Sequence, residues 1–206
     1  MKIFVEGGGD SNRLKSECRN AFTRLIRQAL PAGCAFQFQL VACGSRNVAF
    51  DKFRLALENG ETDVVLLVDG EDVVTNPDAQ TGLTRDPWQH FTNRGDSWNR
   101  PARATAAQTH LMAVSMETWL VADADWLAAY YGQGFQASAL PATANLETVG
   151  KPALNEKLIR ATRNTSKGEY SKGGHSFNIL ATLDPAVIER RSPHAKRFFD
   201  FLRRQC

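Results

Sequence analysis

No stretch of this 206-residue chain approaches the roughly 20 consecutive apolar residues that a membrane-spanning helix needs, and no apolar core follows Met1-Lys2-Ile3. A cytoplasmic protein with no membrane partner is the expectation. Cysteine is scarce: Cys18, Cys34, Cys43 and Cys206 fall in no CxxC or Cys/His spacing. Zinc is therefore not indicated, and buried or free thiols are expected. Nucleotide-binding devices are missing as well, since Gly7-Gly8-Gly9 does not match GxGxxG and no GxxxxGK[ST] occurs. The glycines read more simply as a sharp turn into a helix. No internal repeat or low-complexity tract is evident. A net charge of +3 is too small to declare a polyanion partner by itself, so the distribution of charge matters more than its sum.

What is present is an ordinary globular composition, 43% hydrophobic and 23% charged, in a length that suits one domain with room for an insertion. Lys2–Val5 is a short apolar run, and Leu14, Cys18, Ala21, Phe22, Leu25, Ile26 and Ala29 follow at helical spacing. Phe36–Ala42 reads as a strand, Val48–Leu57 as a helix and Asp63–Val68 as a buried strand. This β-α-β-α-β order predicts an α/β fold: a mainly parallel sheet of about four strands flanked by helices, with right-handed crossovers. Residues 73–103 form a loop or short-helix insertion. Thr109–Met116 is the fourth strand, and Glu117–Ala122 leads into a helix or turn. Ala124–Tyr131, Pro152–Arg163, Ser176–Leu183 and His194–Arg204 read as helices, which makes residues 151–206 a mainly helical extension of a single 1–206 domain.

Two apolar strands end on acid. The first gives Val5-Glu6-Gly7-Gly8-Gly9-Asp10 and the other Val68-Asp69-Gly70-Glu71-Asp72. Sites in parallel sheets gather beyond the carboxyl ends of the strands, where both junctions fall. Acids are common in turns and at helix starts, so neither junction signifies alone. Convergent carboxylates, however, repel unless a cation or proton intervenes, and all-oxygen sites suit Mg²⁺ or Mn²⁺. Glu117, at the end of the fourth strand, would approach the same sheet edge; the competing account is a solvent-facing acid at a helix start beside core Trp119.

These residues resemble the Toprim domain, with its Glu-Gly after the first strand and Asp-x-Asp after a later one. Together with His110, Met116-Glu117-x-Trp119, Ala122-Asp123 and Tyr170-x-Lys172-x-x-His175, the chain looks like an uncharacterised bacterial branch related to the Toprim nucleases of the overcoming-lysogenization-defect family. The resemblance implies a Mg²⁺- or Mn²⁺-dependent nuclease, with Glu6 as the first acid and Asp69 and Glu71 as the pair. Glu71 stands where a second Asp is expected, and neighbouring Asp72 is an alternative ligand. Glu6, Glu117 and Lys172 would be catalytic, Lys172 by steadying a phosphate or leaving oxygen as a lysine does in related nucleases; a surface lysine is the other account. Similar domains accompany ATPases in bacterial anti-phage systems, which implies a role in defence or, instead, a non-catalytic subunit docked on an ATPase.

Basic and aromatic residues supply candidate contacts to DNA or RNA. Lys167, Tyr170, Lys172 and His175 share the glycine-rich segment 164–175, while Arg94 and Arg100 accompany Trp88 and Trp98 in the insertion. A further basic group, from Arg190 to Arg204, crowds the last helices, and a solvated helix face is the usual alternative. His110 in an apolar strand reads as a satisfied core residue. A homo-oligomer is compatible with everything above.

Overall fold

Val64 to Asp69 is an unbroken apolar run closed by one acid, and every residue in it is buried. Such a run suits the middle of a parallel sheet covered on both faces. The computed structural model, which describes residues 1–206, places it there. Strands β1 (Lys2–Val5), β2 (Gln39–Ala42), β3 (Val64–Asp69) and β4 (Thr109–Met112) form an all-parallel sheet in the order β2-β1-β3-β4. Thus β1 and β3 are central neighbours, with Val5 paired to Leu67. The α/β class, the parallel sheet, the flanking helices and the helical C-terminal part are as the sequence predicts.

Helix α1 (Asn12–Ala29) starts where Ser11 Oγ accepts from Leu14 N–H at 3.1 Å, and its apolar stripe Cys18, Ala21, Phe22, Leu25, Ile26 and Ala29 is buried. It shares one face of the sheet with α4 (Met116–Leu120), α5 (Ala124–Tyr131), α6 (Lys151–Thr162), α7 (Ser176–Leu180), α8 (Pro185–Arg191) and α9 (Pro193–Arg203). Ile3, Val5, Val65, Leu67 and Met112 belong to that core. The opposite face, carrying Phe4, Leu66, Val68 and Leu111, packs on α2 (Arg46–Glu58) and on the insertion with its short helix α3 (Pro87–Asn93). The insertion is therefore part of a core. Trp88 and Trp98 are 4% and 9% exposed, and Phe50 stacks on Trp98 with ring centroids 4.6 Å apart.

Several expectations are corrected. The second strand is confined to Gln39–Ala42, since Phe36 and Phe38 stack on each other ahead of it. The fourth strand ends at Met112, because Val114 adopts φ 54° and the chain then turns into α4. Glu117 consequently sits in the first turn of α4, not on a strand end. Thiols are not all free: Cys34 and Cys206 form a disulfide across a separation of 172 residues, while Cys18 and Cys43 stay buried and reduced. Local cysteine spacing could not reveal it, because the pairing depends on how the chain's last helix docks. Arg203 at the end of α9 donates to Ala29 O at 2.8 Å, bringing that end beside the loop after α1.

Candidate metal centre

The register of β1 on β3 sets the two acidic junctions side by side. Asp69 N–H donates to Glu6 Oε2 at 2.9 Å, and carboxylate oxygens of Glu6, Asp69 and Glu71 all lie within 4.8 Å of one another. Past Asp69 the chain stays hooked to the β4 end: Gly70 N–H donates to Met112 O at 2.9 Å and Glu71 N–H to Val114 O at 2.7 Å. Glu71 takes φ 67° there, a left-handed conformation that non-glycine residues seldom adopt and that aims its side chain back over the sheet end. The turn is braced from below by His90, whose Nε2 hydrogen-bonds Gly70 O at 2.8 Å. A carbonyl only accepts, so Nε2 carries the proton.

Asp69 is 2% exposed. Its Oδ1 accepts from Met116 N–H at 2.8 Å, and its Oδ2 faces Lys151 Nζ at 3.3 Å and Lys172 Nζ at 3.9 Å. Lys151 also reaches Glu71 Oε1 at 2.7 Å. Glu117 lies beside this group: Tyr170 OH donates to its Oε1 at 2.9 Å, Lys172 Nζ stands 3.9 Å from the same oxygen, and Oε2 is buried with no partner. A carboxylate oxygen left alone in the interior is costly unless a cation or proton meets it.

Burial, and then the charge of Asp69, pushes the Glu6 carboxyl up to about 8. Asp69 rises to about 6, through burial first and Glu117 second, against the pull of Lys172, Lys151 and the Met116 N–H. At Lys151 burial opposes the ammonium, yet Asp69 and Glu71 outweigh it and hold the group above its usual value. A cleft of about 230 Å³ opens beside the acids. Gly7–Gly9, Gly44, Leu14, Met116, Phe177 and Lys172 are among its walls. Gly8 is required for packing as well as for its φ of 88°, because a Cβ there would lie 2.7 Å from Lys15 Cα.

The remaining candidates fall elsewhere. Asp72 points away from the cluster and pairs with Arg94, which also bonds Asp96 at 3.3 Å. Arg100 donates twice to Ala104 O, at 3.0 and 2.9 Å, and so holds its own loop. Tyr170 is buried on Glu117, and His175 Nδ1 meets Tyr131 OH at 3.2 Å. Lys167 is exposed over the Tyr130 ring, 5.2 Å from its centroid. Of the basic-aromatic set Lys172 borders Asp69 and Glu117, and Tyr170 reaches Glu117 alone. The C-terminal arginines are largely structural: Arg191 caps the carbonyls of Ala122, Pro141 and Thr143, and Arg197 those of Thr109 and Ala106. His110 is satisfied in the core by Ala107 O at 3.0 Å.

Three supporting residues escape sequence reading. Lys151 opens α6 far along the chain, and nothing in its Gly-Lys-Pro context marks it. Arg46 donates to Asp69 O at 3.0 Å and forks onto both oxygens of Asp96 at 3.0 and 2.9 Å, lying over Trp98 at 4.3 Å. His90, within the insertion, carried no periodicity that would point it at Gly70.

A doubly covered parallel α/β domain with carboxylates converging at the carboxyl ends of its two central strands is the class that fold and site define. The chain belongs to the family described as a domain of unknown function (DUF4276), whose model matches residues 5–203. No curated protein and no solved structure matches it. No helix is long and apolar enough to cross a membrane.

Proposed function

We propose that this chain is a Toprim-type phosphodiesterase that hydrolyses DNA or RNA with Mg²⁺ or Mn²⁺. The observation that carries the reading is the meeting of Glu6, Asp69 and Glu71 within 4.8 Å at one sheet end, with a lysine on either side. An all-carboxylate donor set fits hard divalent ions, and the partnerless Oε2 of Glu117 marks a surplus of acceptors over donors nearby. Glu6 and Asp69 would hold the ion, with Glu71 as the third carboxylate beside it; when bound, the ion supplies Lewis-acid charge neutralisation at the phosphate and lowers the pKa of water.

The chain's own groups do the rest. Lys172, 60% exposed and 3.9 Å from both Asp69 and Glu117, is free to leave the acids and neutralise a phosphate oxygen or the departing alkoxide. Glu117, enclosed and fixed by Tyr170, serves to hold positive charge near Asp69 more readily than to exchange protons with solvent. Gly7–Gly9, Gly44 and Gly173 leave part of the cleft wall as bare backbone, which favours close approach of a sugar-phosphate chain. A role in anti-phage defence follows from the Toprim resemblance. Nicking of plasmid and single-stranded substrates with Mg²⁺ or Mn²⁺ is the test, and Glu6→Ala and Asp69→Ala should each lose more than about 100-fold, beyond what an outer-shell change produces. Undiminished activity in both would sink the assignment.

A further inference from the structure

Lysines on the acids are not equivalent. Lys172 hovers at 3.9 Å with a side chain 60% exposed, whereas Lys151 is inserted, 21% exposed, with Nζ 2.7 Å from Glu71 Oε1 and 3.3 Å from Asp69 Oδ2. Lys151 is also the first residue of α6, and Pro152 follows it, so its backbone is fixed at the point where the side chain departs. An ammonium bridging two carboxylates supplies the kind of positive charge that a second ion, about 4 Å from a first, would supply in a two-ion phosphodiesterase. Glu6, by contrast, has no lysine on it; it accepts only from the Asp69 N–H through Oε2.

From this geometry we propose that the cluster takes a single divalent cation on its Glu6–Asp69 edge, and that Lys151 permanently fills the Asp69–Glu71 edge as a built-in substitute for a second ion. The inference rests on the metal-dependent reading above and adds the ion count and a residue to it. Lys151 then acts as a positioning residue: it holds Glu71 and one oxygen of Asp69 so that the remaining oxygens face the ion, and it keeps local charge balanced without a second ion. Buried Glu117, with Oε2 unpartnered, lies beside the same group and is the next acceptor available.

The test is Mn²⁺ titration of the full chain, by calorimetry and by electron paramagnetic resonance of free Mn²⁺. Wild type should bind one ion per chain, and Lys151→Met should bind two, with the spin-coupled spectrum of a close pair. A second comparison does not depend on that variant folding. Glu71→Gln should weaken the first ion by no more than about 100-fold, as an outer-shell change does, while Glu6→Gln should weaken it by more than about 100-fold. Two ions on wild type, one on Lys151→Met, or equal losses in the two Gln variants would overturn the Lys151 assignment alone. No ion on wild type would defeat the metal-dependent reading itself, and this inference with it.

Discussion

Asp69 divides its carboxylate between two tasks, Oδ1 to the Met116 N–H and Oδ2 to the lysines, and it donates its own N–H to Glu6. One residue thus ties three elements to a single point. The arrangement stores electrostatic stress: folded Glu6 is raised from 4.5 to about 8 and Asp69 from 3.8 to about 6, burial leading in each case. Groups raised on folding bind more protons in the folded than in the unfolded chain, so stability falls as pH rises through those windows. In chelator, the melting temperature should drop between about pH 4.5 and 8, and Glu6→Gln should flatten the upper part of that drop. Mn²⁺ should restore more stability at pH 8 than at pH 6. A melting temperature that rises with pH in chelator would contradict this. Glu6, Asp69 and Glu71 were legible because each follows directly from a strand end. The bonds of Tyr170 to Glu117 and of His175 to Tyr131 were not legible, because a polar, glycine-rich segment does not disclose which of its side chains turn inward.

At the scale of elements, the strand-to-loop junctions depend on partners from distant segments. Arg46 starts α2 yet fastens the β3 end to the insertion through Asp69 O and Asp96. Arg46→Ala would leave Asp96, 14% exposed, with Arg94 at 3.3 Å as its remaining ion pair, and remove the stack on Trp98. The loss should be on the order of 2 kcal/mol, read from chemical denaturation, with Mn²⁺ affinity falling alongside because the Asp69 carbonyl is released. A neutral change would show that the insertion holds the strand end by its aromatic packing alone. Strands β1 and β3 and helix α1 were readable from period and length, since packing against one face imposes that period. The boundary of β4 was not, because the break at Val114 is a backbone conformation that an apolar sequence conceals.

Over the whole molecule, both faces of the sheet are covered, and the second layer combines α2 with a segment whose composition resembled a loop. Trp88, Phe91 and Trp98 are core there, so these rings are packed against the sheet and not open for stacking on a base. Polar groups on the last helices are likewise satisfied internally: Arg203 pairs with Glu189 and Asp200, and His194 donates from Nδ1 to Glu147 Oε2 at 2.6 Å while its Nε2 accepts from Thr84 N–H at 3.0 Å. That last bond clips the insertion to α9. The Cys34–Cys206 disulfide closes the same layer over a long span, so Cys206→Ser should lose about 2–4 kcal/mol of stability, an effect a reducing agent reproduces in the wild type and not in the variant.

Lys151 lies 82 residues beyond Asp69 in the chain. During vectorial synthesis all four strands, complete by Met112, are available before either lysine has been made. The positive charge that meets Asp69 and Glu71 is thus the last part of the site to be synthesised, and a nascent chain shorter than 151 residues carries the strand-end acids without either lysine.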